Sequence, residues 1–146
     1  MRVHATALEI GGKGVLIRGP SGSGKSDLAL RCLVAGPSHL IPWPARLVCD
    51  DQVELRADLD GLHIEAIDAI SGKIEVRGLG IVEITALTRS APLSLVVELA
   101  ASRDLVARMP EAMDTRIMGL RVPQITLYPF DASAPVKLML ALAAIE

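Results

Sequence analysis

The sequence predicts an α/β fold, a single strand-rich phosphate-loop domain, on three observations. A glycine-rich loop, Gly19-Pro20-Ser21-Gly22-Ser23-Gly24-Lys25-Ser26, follows the apolar run Val15-Leu16-Ile17 and precedes a segment with apolar residues at helical spacing. Short apolar or alternating runs bounded by glycine, proline or aspartate fill most of the remaining chain. Few segments carry a helical repeat, so a sheet with a small number of helices is expected rather than a helical bundle. At 146 residues and 51% hydrophobic content the chain is long enough for one domain with its own core and too short for two, so residues 1–146 are read as one domain.

Taken in order, Val3 to Ile10 reads as a strand, Gly11-Gly12-Lys13-Gly14 as a turn, and Val15 to Arg18 as a second strand delivering the chain into the loop. Leu28, Ala29, Cys32 and Leu33 then mark a helix that ends near Gly36-Pro37, because glycine stops helices and proline cannot continue them. Three prolines within Pro37 to Pro44 forbid regular structure there, making that stretch a surface excursion that carries the only tryptophan, Trp43, toward a partner. Arg46 to Leu55 is strand-like around Asp50-Asp51, Leu62 to Ile67 is a further strand, and Ile74 to Ile84 alternates around Gly78 and Gly80. Leu93 to Leu99 and Gln124 to Leu127 complete the strands. A final apolar helix spans Val136 to Ala144, opened by Ser133-Ala134-Pro135 with Ser133 as its N-cap.

Bulk properties exclude several classes of function. A net charge of −2 offers no positive field for nucleic acid or an anionic membrane, and one Trp, one Tyr and one Phe make poor stacking platforms for single strands. Charges interrupt every apolar stretch short of a membrane span, and Met1 to Gly12 has no long apolar leader region, so a cytoplasmic protein is expected. Cys32 and Cys49 lack metal-ligand or C-x-x-C spacing and are expected to be buried, reduced thiols.

The loop carries the chemistry. Its glycines let backbone N–H groups turn toward phosphate oxygens at the positive end of the following helix. Lys25 would reach the β- and γ-phosphates of a nucleotide, and the Ser26 hydroxyl would ligate Mg²⁺. Such a metal needs a carboxylate nearby, and Asp50-Asp51 stand at the end of Arg46-Leu47-Val48-Cys49. Neighbours on a strand face opposite ways, so one carboxylate would serve the metal's water shell and the other an acceptor hydroxyl, unless both simply decorate a solvated turn. Gly78-Leu79-Gly80 does not continue into a dinucleotide fingerprint, since Glu83 occupies the third glycine position. Glu75 and Arg77, on alternate strand positions, offer one metal ligand and one cation on the same side, or else an ordinary surface ion pair.

Together the loop Gly19 to Ser26, Arg46-Leu47-Val48-Cys49-Asp50-Asp51, and Ile74-Glu75-Val76-Arg77-Gly78-Leu79-Gly80-Ile81-Val82 resemble the bacterial HPr kinase/phosphorylase family over about Val3 to Pro129. The third segment is the most specific of the three. The resemblance implies a catalytic core related to phosphoenolpyruvate carboxykinases, use of ATP and Mg²⁺, phosphorylation of a serine on the phosphocarrier protein HPr, removal of that phosphate by phosphorolysis in many members, and a hexameric assembly. Residue by residue it places Lys25 on the phosphates, and Ser26 and Glu75, with Asp50 nearby, on the metal. Asp51 becomes the carboxylate that takes the serine proton. His4, fifteen residues before Gly19, matches an active-site histidine, and Arg77 or Arg108, in Ala107-Arg108-Met109-Pro110, would bear transition-state charge.

Departures bear on this expectation. The chain resembles short alphaproteobacterial forms that consist of the catalytic domain, and Pro37 to Pro44 is an insertion. Where the family often carries a Pro-Val-x-x-Gly-Arg-Asn segment, this chain reads Tyr128-Pro129-Phe130-Asp131-Ala132-Ser133-Ala134-Pro135, without the arginine, which leaves the phosphorylase direction open. Two rival readings remain: a small-molecule phosphate-loop kinase, and a nucleotide-sensing module with reduced catalysis.

Overall fold

The computed structural model describes residues 1–146 and bears out the strand-rich α/β architecture. β1 (Arg2–His4) and β2 (Thr6–Ile10) are separated by Ala5, so the single strand expected over Val3 to Ile10 is broken. The break follows from divided pairing: β1 joins β5 (Gln52–Asp58), whereas β2 joins β3 (Lys13–Arg18) and β4 (Ala45–Cys49), all antiparallel. The turn before β3 is correspondingly tight, with pairing resuming at Lys13 rather than Val15. Arg46 to Leu55 likewise splits into β4 and β5, and the acidic pair forms the corner between them.

β9 (Ser90–Leu99) is the spine of the nine-stranded sheet. It runs antiparallel to β6 (Gly61–Glu65) and parallel to both β3 and β11 (Leu120–Leu127). β10 (Met113–Ile117), which pairs only with β11, was not expected from the sequence. As an edge strand it exposes most of its residues and so lacks the apolar alternation that marks a strand. A separate hairpin pairs β7 (Lys73–Val76) with β8 (Gly80–Glu83), which puts Arg77 in its turn rather than on a strand.

The inner strands are buried on both faces and divide their side chains with a period of two. Val15, Ile17, Leu95 and Val97 enter one apolar cluster, while Leu16 and Val96 enter another on the opposite face. The first cluster is covered by α1 (Lys25–Ala35), through Leu28, Ala29 and Cys32, and by α2 (Ala134–Ala143), through Leu138, Met139 and Leu142. The second is closed by the sheet's own outer strands, through Val53, Leu55, Leu62, Ile64, Ile117 and Val122. Ser133 does sit at the N-cap of α2, but its side chain makes no capping bond, and Pro135 in the first turn carries the start instead.

Pro37 to Pro44 has neither helix nor strand, as expected. It is nevertheless anchored: Ile41 is buried in the helix-side cluster, and Trp43, still 45% exposed, lies so close over Gly11 that a Cβ there would come within 2.7 Å of the indole.

Both cysteines are free and buried. Burial on the inner face of α1 pushes the Cys32 thiol up to about 12 from its ordinary 9.0. The folded thiol therefore stays protonated while the unfolded one ionises, so its contribution to stability is complete below the ordinary value and is lost as pH rises toward the folded one. Denaturant titrations on either side of the ordinary thiol pKa should show wild type losing more stability with rising pH than Cys32→Ala. Equal losses would show that Cys32 does not contribute.

Candidate active site

α1 starts directly out of the loop. Gly24 stands at its N-cap with φ 104° and no side-chain cap, a left-handed conformation that favours glycine. Of the amides from Ser21 to Ser26, only that of Ser23 has an acceptor in the chain, donating to the Pro20 carbonyl at 3.0 Å. The others form a row of unpartnered donors at the positive end of a helix, which is the donor set a phosphate requires. The Lys25 ammonium, meanwhile, donates to the carbonyls of Gly19 at 2.6 Å and Pro20 at 3.0 Å, folded back over its own loop.

Beneath the loop lies Asp50, 5% exposed. Ser26 Oγ donates toward both its carboxylate oxygens, at 2.8 and 2.9 Å, Thr6 Oγ1 donates to Oδ1 at 2.7 Å, and the Glu75 amide approaches Oδ2 at 3.4 Å. One carboxylate thus ties β2, α1 and β7 together and orients the Ser26 hydroxyl. Both its oxygens are engaged, which puts Asp50 behind Ser26 rather than on the open surface. Asp51 differs entirely: it is exposed, with φ 69°, in a left-handed corner that aspartate tolerates better than most residues. The expectation that the two carboxylates do different jobs rests here on the end of β4, which leaves one buried and one open.

The open cleft has a volume of about 1140 Å³ and brings together His4, Thr6, Gly19 to Gly22, Gly24, Lys25, Ser26, Asp51, Glu75 and Arg77. His4 arrives because the β1–β5 register sets it opposite Gln52, next to Asp51. Glu75 and Arg77 come from the β7–β8 hairpin. Arg108 does not join them; it is exposed in the coil before β10 and does not line the cleft. Sequence reasoning missed Thr6 and Phe130, both of which line it. Thr6 had a signal, being a polar residue inside the apolar run Ala5 to Leu8, and it is fully buried. Phe130 had none.

The donors suit a magnesium ion that arrives with its nucleotide. Ser26 and Glu75 offer oxygen atoms lining one cleft, and no three His, Cys, Asp or Glu side chains gather into a cage that would hold a resident metal by themselves. Mg²⁺ typically keeps waters and takes one or two protein oxygens plus phosphate.

Removing the hub should cost stability. Asp50→Ala leaves the buried Thr6 hydroxyl without its acceptor and is expected to destabilise the fold by about 2–3 kcal/mol. Adding Thr6→Val should cost less than the sum of the single changes, because both partners are then gone. Denaturant unfolding of the four proteins measures this coupling, and strict additivity would disprove the hub.

Comparison with known proteins follows the same line. The family model described as HPr Serine kinase C-terminal domain matches residues 1–146. The HPr kinase/phosphorylase of Clostridium beijerinckii is 42% identical over 87 residues, covering 59% of this chain and 26% of that protein. The HPr kinase/phosphorylase of Bordetella pertussis is 34% identical over 135 residues, covering 86% of this chain and 41% of that protein. The chain therefore spans well under half the length of these curated relatives. Among solved structures, the Hpr(Ser) kinase/phosphatase from Coxiella burnetii superposes with a TM-score of 0.80 at 24% identity over 97% of this chain and 88% of that one, a likeness of fold. A match running over residues 1–146, with a cleft built on a glycine-rich loop that opens α1, places this chain in the HPr serine kinase C-terminal domain family.

Proposed function

We propose that this domain is a protein-serine kinase that transfers the γ-phosphoryl group of Mg·ATP to a serine hydroxyl of an HPr-type phosphocarrier protein. The observation that carries the reading is a single cleft in which unpartnered loop amides and Lys25 share a wall with Ser26, and Asp51, His4, Glu75 and Arg77 complete the lining. In the forward step the serine oxygen forms a bond to the γ-phosphorus as the bond to the β–γ bridging oxygen breaks, and ADP leaves with that electron pair. Asp51 accepts the serine proton. Lys25 and the loop amides hold the phosphates in line, Arg77 offsets their charge, and Asp50, by accepting the Ser26 O–H, leaves the Ser26 oxygen lone pairs for the metal. Mg²⁺, held by Ser26 and Glu75, would supply further charge neutralisation when bound.

In the reverse direction an oxygen of inorganic phosphate forms a bond to the phosphoserine phosphorus as the bond from that phosphorus to the serine oxygen breaks; the serine oxygen leaves with the electron pair and takes the proton from Asp51, and the pyrophosphate so formed is released. The working form is read as a cytoplasmic homo-oligomer, hexameric by the family resemblance; no helix is long and apolar enough to cross a membrane.

The test is to mix the domain, Mg·ATP and an HPr-type carrier, look for acid-stable phosphoserine, and then add phosphate to read the reverse reaction. Tight ATP binding with no labelled carrier would overturn the kinase reading. Labelled metabolites without labelled carrier would favour a small-molecule kinase, and tight carrier binding without turnover a sensing module.

A further inference from the structure

Phe130 is the only Phe, Tyr or Trp side chain lining the cleft, and its one large apolar ring. It is 57% exposed and belongs to neither apolar cluster, whereas the other apolar lining residues, Leu30 and Val76, pack partly against the helix-side core. Folding therefore does not explain why a large apolar side chain stands here in water.

The ring is also held in place. It lies against Gly24, where a Cβ would come within 3.1 Å of its Cζ. The short segment that carries it is tied to α1 by Arg31, which donates Nη1 to the Asp131 carbonyl at 3.2 Å and Nη2 to the Pro129 carbonyl. Arg103 and Lys137 both pair with the Asp131 carboxylate, at 2.6 and 3.6 Å. Arg103 also sits over the Tyr128 ring, 5.3 Å from its centroid, and Tyr128 meets Phe130 nearly perpendicularly, at 77° and 5.7 Å. A perpendicular contact covers at most one face of a ring. Phe130 thus presents a rigid, open aromatic face beside the junction of phosphate loop and helix.

A nucleotide joins a polyanion to a flat aromatic base, and the unpartnered amides match only the polyanion. We infer that Phe130 is the platform on which the purine base of the bound nucleotide stacks while its phosphates occupy the loop. The inference rests on the nucleotide reading of the cleft. Stacking on a single ring reads the π-face and not the base edges, so ATP and GTP should both use it.

Calorimetric titration of wild type, Phe130→Ala and Phe130→Tyr with Mg·ATP and, separately, magnesium tripolyphosphate tests the idea. Phe130→Ala should weaken ATP binding about tenfold or more, leave tripolyphosphate binding unchanged, and melt close to wild type; Phe130→Tyr should restore ATP binding. In a Phe130→Trp variant, emission should be quenched by ADP and not by pyrophosphate. Unchanged ATP binding in Phe130→Ala, or an equal loss for both ligands, would overturn the platform while leaving the phosphate site standing. Wild type binding neither ligand would instead overturn the nucleotide reading itself.

Discussion

Lys25→Met is expected to lower the rate of phosphoryl transfer by about a hundredfold to a thousandfold, the usual loss when one preorganised partner of a developing charge is removed. Within the domain the ammonium donates to the Gly19 and Pro20 carbonyls, so engaging a nucleotide requires it to exchange two carbonyls for phosphate oxygens. That exchange is favourable only because phosphate carries full charge where the carbonyls carry partial charge. The variant gives up contacts at the edge of the cleft and none in either apolar cluster, so its melting temperature should stay near that of wild type. Lys25→Arg is not expected to restore the rate, since a planar guanidinium on a different stem does not reproduce a compact ammonium. Single-turnover transfer with saturating Mg·ATP is the measurement. A Lys25→Met protein retaining a tenth or more of the wild-type rate would show that the loop does not hold the transferred phosphate.

The second large effect is expected at Asp51. Asp51→Asn should reduce the transfer rate about a hundredfold or more, with ATP affinity close to wild type, because a proton acceptor is lost while the phosphate site is untouched. Asparagine is the informative substitution: it tolerates the positive φ of this corner, so a loss of rate cannot be assigned to backbone strain, as it could be with alanine. Asp50→Ala is predicted to show the other pattern, in which stability falls. If Asp51→Asn keeps its rate, the serine proton goes elsewhere, and His4, which lines the same cleft, is one alternative acceptor. Measuring single-turnover rate and ATP affinity for both variants separates proton transfer from architecture.

The glycine-rich loop between strand and helix was readable because its parts are contiguous: eight residues hold the glycines, the lysine and the serine, and the apolar run before and the helical spacing after are local patterns. α1 and α2 were readable for the same reason, and so were the inner strands, whose burial on both faces leaves dense apolar runs. The broken first strand, the β4–β5 corner and β10 were not. Each is decided by which distant strand supplies the hydrogen bonds, and β10, exposed at an edge, has no apolar pattern to give it away. Arg108, matched across a shortened segment, is a candidate residue whose place outside the cleft the sequence did not show.

The sequence by itself determined the glycine-rich loop that opens α1, the strand-rich class and the presence of two adjacent carboxylates with a glutamate and an arginine to follow, all of which are written in short windows. Only the tertiary structure decided that Asp50 goes under the loop to hold Thr6 and Ser26 while Asp51 stays in the cleft, and that Phe130 comes to rest on Gly24. Those outcomes depend on where β4 ends and on how a segment about a hundred residues downstream returns to α1, through Arg31, Pro129 and Asp131. Chain spacing carries no record of such closures, because they are set by sheet pairing and packing rather than by the order of residues.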